Sequence, residues 1–136
     1  MKKLIPIVLL ICLFGCTNSN PQGRIPISGE VSLNGQPVKD GDIEFASVAG
    51  STPMMITGAK IKDGKFETNA VNGLIPGQTY IVKIAATEEV AGEFDTTPNG
   101  DKVPKMQNVA PPKWGSESQE TITCEKGKPA KFNFKL

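Results

Sequence analysis

The sequence predicts an all-β protein: a seven-stranded antiparallel β-sandwich behind an N-terminal signal helix. Three observations predict it. Apolar and polar residues alternate in short runs from position 24 onward. Turn signals such as Asn34-Gly35, Asp63-Gly64 and Pro76-Gly77 punctuate those runs every ~8–12 residues, the spacing of sandwich strands. No amphipathic helical window of any length is present in this part of the chain.

The first strand covers 27–33, where Ile27, Gly29, Val31 and Leu33 alternate with Ser28, Glu30 and Ser32. Asn34-Gly35 follows as a type I′ turn signal, since both residues tolerate positive φ. Pro37 and Asp40-Gly41 are expected to lengthen that link beyond a two-residue hairpin. Ile43 and Phe45 mark the second strand, and 49–53 is loop. The third strand, 55–62, puts Thr57, Ala59 and Ile61 on one face. Asp63-Gly64 turns it into 65–68, with Phe66 opposite Ile61. Residues 72–77 connect to the fifth strand, where Tyr80, Val82, Ile84 and Ala86 alternate. The sixth, 121–125, carries Ile122 and Cys124 inward. In the last, Ala130, Phe132, Phe134 and Leu136 alternate with Lys131, Asn133 and Lys135, so the tail is tied into a sheet. Gly29 inside a strand implies a bulge or a close backbone approach.

Composition narrows the function classes. The chain has 136 residues, 15 Lys+Arg against 14 Asp+Glu, and a net charge of +1. That balance excludes a nucleic-acid partner of the usual basic kind. There is no histidine, which removes the commonest general base and transition-metal ligand. Serines such as Ser47, Ser51 and Ser116 have no histidine partner and no nucleophile elbow. Glu88-Glu89 are adjacent and point apart in extended chain, so they make no glycosidase pair. No cofactor motif is found and no catalysis is expected.

The N-terminus is built differently. Lys2 and Lys3 precede an apolar run over 4–14, then Gly15 and Cys16. This is the layout of a secretory signal, too short for a comfortable membrane span of roughly 20 residues. Leu13-Phe14-Gly15-Cys16 resembles the lipobox of bacterial lipoproteins, with Phe14 larger than the residue usual there. The resemblance implies diacylglycerol on the Cys16 thiol, cleavage before it and acylation of the new amine. Thr17 rather than Asp follows, which by the same resemblance implies the outer membrane, facing the periplasm. The expected organisation is a signal peptide over 1–15, lipidated Cys16 with a flexible spacer over 16–23, and a β-sandwich domain over 24–136. After cleavage Cys124 is the one thiol left, so no internal disulfide forms.

The residues of the domain carry a second resemblance. Ile27-Ser28-Gly29-Glu30-Val31-Ser32-Leu33-Asn34-Gly35-Gln36-Pro37-Val38 resembles the opening of carboxypeptidase regulatory-like domains. Lys62-Asp63-Gly64-Lys65-Phe66 resembles their Asp-Gly hairpin, without its first Asp. Pro76-Gly77-Gln78-Thr79-Tyr80-Ile81-Val82 resembles their strand entry. The chain as a whole is similar to small lipoproteins of planctomycete-type bacteria. These resemblances imply a transthyretin-like (prealbumin-type) sandwich and no catalysis. The hydroxyisourate-hydrolysing branch of that fold uses histidines and a different C-terminus, so its activity is not expected here.

Candidate contacts fall in a long loop expected at about 87–118, which ends in Pro111-Pro112-Lys113-Trp114. Trp114 is the sole tryptophan, able to stack on a sugar or a partner protein, or else to cap the sandwich. Lys113, Asp95 and Asp101 are the other candidates. The oxygen-rich segment around Asp95 and Asp101 lacks the spacing of a calcium loop, so no metal is expected. Partners are therefore the membrane, through the lipid anchor, and an envelope protein met at sheet edges or this loop. The alternative is a carbohydrate-binding lipoprotein that uses Trp114.

Overall fold

The computed structural model describes residue 20 and residues 22–136. The signal segment and Cys16 lie outside the described residues. The described residues are all-β, and their strands form one curled sheet that is antiparallel except at one pair. The strands are β1 (Ile27–Leu33), β2 (Gln36–Pro37), β3 (Asp40–Ser47), β4 (Ile56–Lys62), β5 (Lys65–Glu67), β6 (Thr79–Thr96), β7 (Lys102–Asn108), β8 (Thr121–Thr123) and β9 (Ala130–Lys135). No helix among the described residues is long and apolar enough to cross a membrane.

The pairing order is β9-β1-β5-β4-β3-β6, with β2 extending the β5 side of β1 and β7 and β8 sharing the far edge of β6. The β4–β5 hairpin is joined at one residue pair, Lys62 with Lys65, so the sheet turns sharply there. Inside the curl lie Ile27, Val31, Ile43, Phe45, Ile61, Phe66, Tyr80, Val82, Ile84, Cys124 and Phe134, all buried. Phe134 packs against Phe45 at 6.5 Å and Phe66 at 6.1 Å between ring centroids, both tilted. The outer face of β4-β3-β6 carries cross-strand ion pairs. Lys60–Asp42 at 2.6 Å and Lys83–Glu44 at 3.2 Å cross between neighbouring strands.

Several expectations change. Asn34 and Gly35 take φ of 51° and 81°, and Leu33 pairs directly with Gln36. The link is a two-residue hairpin: Pro37 pairs with Ser32 at a non-hydrogen-bonded position, where its missing N–H costs no ladder bond, and Val38 N donates to Val31 O beyond it. Gly29 marks a close approach, since a Cβ there would lie 1.8 Å from the Phe132 carbonyl oxygen and 2.8 Å from the Phe66 ring. β9 runs parallel to β1, where an antiparallel sheet throughout was expected. β8 runs toward the end at which β1 starts, and residues 124–129 cross over there, so β9 starts beside Ile27. Of the expected spacer, residues 16–19 and 21 lie outside the described residues; the Asn20 side chain donates to Arg24 O at 2.7 Å and accepts from Arg24 N at 2.9 Å.

The largest correction concerns 87–118, which is no loop. β6 runs on through Thr96 and pairs with β7, so 87–108 is a β-hairpin arm. Its residues are almost all exposed on both faces, so they carry no apolar alternation from which strands could be read. A register shift between Glu89 and Phe94, with Gly92 at a φ of 76°, kinks it.

Candidate functional site

The pairing places two structures at opposite ends of the sheet. At one end β1 and β6 begin and β3 ends, with Ser47 opposite Tyr80. The chain enters there through Arg24, whose Nη1 donates to Val71 O at 2.9 Å. At the other end Asp40 pairs with Thr87, and the arm continues beyond it. The partner strand β7 supplies six residues beyond Asn108, so the arm projects about 20 Å at ~3.3 Å each.

One face of the arm carries Phe94, Pro104 and Met106, with Glu89 opposite Met106 and Lys102 two residues from Pro104. Phe94 pairs with Pro104, and Met106 lies two residues along β7 on the same side. Phe94 is 60% and Met106 47% exposed. The other face carries Asp95, opposite Val103, and the Lys105–Glu93 ion pair at 2.6 Å. Five acids against two lysines over 87–108 give the arm a net charge of −3. At its tip, Thr97 N donates to Asp101 O at 2.8 Å and Asp101 N to Thr97 Oγ1 at 3.1 Å.

The β7 edge of the arm is blunted. Val109 N donates to Ala86 O, and Thr97 N to Asp101 O. By alternation, Val103, Lys105 and Gln107 turn their main chain toward β6, and Lys102, Pro104 and Met106 turn theirs outward. Pro104 has no N–H to offer there, and Lys102 adds a charge, so an added strand is opposed on this edge. On the other edge β3 begins, at Asp40, opposite Thr87, so among the described residues β6 beyond Thr87 is unpaired on that side.

Trp114 takes the capping position. Pro112–Trp114 form a 3₁₀ turn in the segment that returns along β6 from the arm. Ser118 Oγ donates to Val82 O at 2.6 Å and fixes that segment. The Trp114 ring is 6% exposed and meets Phe134 edge-on at 5.7 Å. Lys113 Nζ stands 5.1 Å over that ring. Trp114 and Lys113 are thus together on the body, and Asp95 and Asp101 are together out on the arm. The four candidates do not form one site.

The displaced pKa values belong to Tyr80 and Cys124. Burial raises the Tyr80 phenol, partly offset by the Ile75 N–H that donates to its oxygen at 2.9 Å. Burial raises the Cys124 thiol as well. Both lie in the core, where a neutral group is favoured and no substrate reaches. Among the described residues no three His, Cys, Asp or Glu side chains converge to hold a metal. The exposed apolar side chains not legible in the sequence are Phe94 and Met106. Phe94 lies opposite Pro104 and Met106 opposite Glu89, in a register that shifts between them and that no local pattern announces.

No protein-family model and no curated protein matches the chain. A solved structure that matches is a 9R-lipoxygenase from Cyanothece PCC8801, at 13% identity and a TM-score of 0.36. The match covers 88% of this chain and 17% of that one. A likeness at that score carries no argument about fold or activity.

Proposed function

We propose that this chain is a lipid-anchored, non-catalytic interaction module of the bacterial cell envelope. Cys16 carries the lipid, and the outer membrane, facing the periplasm, is its place. The arm meets a partner protein through Phe94, Pro104 and Met106. The observation that carries this reading is the two-ended layout, with the chain entering at one end and the arm leaving the other. A tethered protein built this way holds its contact surface away from the lipid. Two or three acyl chains make such a tether firm, where one binds only marginally.

The finer fold belongs to the same reading. The single β4–β5 pair lets the sheet fold over into two layers, β9-β1-β5 and β4-β3-β6. That is compatible with a transthyretin-like sandwich to which the arm has been added.

The test has two parts. Cys16→Ser should be released from washed membranes as soluble protein; retention sinks the tether. Phe94→Ser with Met106→Ser should shift stability by no more than ~0.5 kcal/mol, as exposed positions do. It should also abolish a crosslinked species formed by the full-length wild-type protein in intact cells. Unchanged crosslinking sinks the arm as the contact.

A further inference from the structure

The large apolar side chains exposed among the described residues fall into two groups. Phe94, Val103 and Met106 belong to the arm. Met54, Ile56 and Val71 lie at the opposite end, where the chain enters, with exposures of 68%, 70% and 57%. Thr57 Oγ1 donates to Asn72 O at 2.7 Å, which holds the Val71 loop beside the start of β4. Gln78 Nε2 donates to Thr52 O at 3.0 Å, which holds the Met54 loop at the same end.

Charge divides the same way. The segments at the entry end, 22–26, 48–55, 68–78 and 124–129, carry Arg24, Lys126 and Lys128 against Glu125 alone, a net +2. Arg24 is pinned beside the exposed Val71 by its bond to Val71 O. The arm at the other end is at −3, from five acids and two lysines.

We propose that the entry end is a bilayer-contacting face: Met54, Ile56 and Val71 seat in the headgroup region, and Arg24 and Lys126 meet anionic headgroups, Lys128 being paired with Glu125. This rests on lipidation of Cys16. Four chain steps then lead from Cys16 to Asn20, a reach of at most ~14 Å at ~3.5 Å each. The pinned Asn20–Arg24 turn adds no slack. The cations are therefore held within one or two screening lengths of the surface, about 8 Å each in physiological salt. A second copy docking end to end would bring like charges together, whereas an anionic leaflet attracts this end and repels the arm.

The experiment uses full-length lipidated protein in vesicles of phosphatidylcholine, with and without phosphatidylglycerol. Met54→Cys, Val71→Cys and, as a control on the arm tip, Asn99→Cys each carry a polarity-sensitive fluorophore; Cys124 is buried and does not label. Flotation with the vesicles reports the tether, and emission reports the face. The expected result is flotation, with a blue shift at positions 54 and 71 and none at 99. The shift should shrink without phosphatidylglycerol and in Arg24→Glu with Lys126→Glu. Flotation with watery emission at 54 and 71 overturns this inference and leaves the tether standing. Loss of flotation overturns both. A blue shift at 99 overturns the two-ended orientation, and equal shifts on both lipids overturn the role of the cations.

Discussion

Trp114→Ala separates a capping tryptophan from a ligand-stacking one. The ring is 6% exposed and stands edge-on to Phe134 at 5.7 Å. Truncating a buried tryptophan costs about 3–5 kcal/mol. Lys113 above the ring adds roughly 0.5 kcal/mol at an exposed site. One term acts the other way. The indole Nε1 is buried with no hydrogen-bond partner, and leaving such a group unpaired costs about 1–3 kcal/mol in the wild type. The net expectation is a loss of roughly 0.5–4.5 kcal/mol, centred near 2.5. At about 4 °C per kcal/mol for a domain of this size, the mid-value lowers the melting temperature by roughly 10 °C. Trp114→Phe keeps an edge contact and removes the unpaired N–H, so it should stay within ~1 kcal/mol of wild type. Far-UV circular dichroism is the readout, since the substitution removes the sole tryptophan. A Trp114→Ala protein that melts with the wild type would refute the capping assignment.

Gly29→Ala should destabilise by at least ~2 kcal/mol, because the new Cβ meets a main-chain oxygen that cannot swing away. A urea midpoint equal to wild type would show that the β1–β9 approach is looser than drawn. Stability should also fall in alkali. The Cys124 and Tyr80 values are raised in the fold above their ordinary 9.0 and 10.0, so the unfolded chain ionises first. Their contribution is complete below about pH 9 and lost as pH climbs through the folded values. Urea midpoints across that range test this, and a midpoint that stays flat contradicts it. In the same series Cys124 should resist a thiol reagent until the protein unfolds.

Legibility followed burial. Tyr80, Val82, Ile84 and Ala86 alternate because one face of β6 meets the core, and the sequence shows it. Nine residues on from Ala86, the same strand carries Asp95 and then Thr96 with solvent on both sides, and the pattern vanishes although the strand does not. Leu74 was hidden for a different reason. It reads as part of a turn-rich connector, yet it is fully buried through its bridge to Ile25. Asn34-Gly35 and Asp63-Gly64 were legible as turns, and Asn34, Gly35, Asp63 and Gly64 all adopt positive φ. The reach of the first turn was misjudged because β2 is a two-residue strand that depends on its partner.

Local chemistry by itself determined the all-β class, most of the strands, the tight turns and the inward residues of the core. Those depend on alternation and on φ preferences, which are written residue by residue. Tertiary structure decided the parallel β1–β9 pair, the burial of Trp114, and the arm with its apolar face. Each of these is a meeting of segments far apart in sequence. It also put Arg24 and Phe94 at opposite ends of one curled sheet, because strand direction, once set by pairing, decides where every loop emerges.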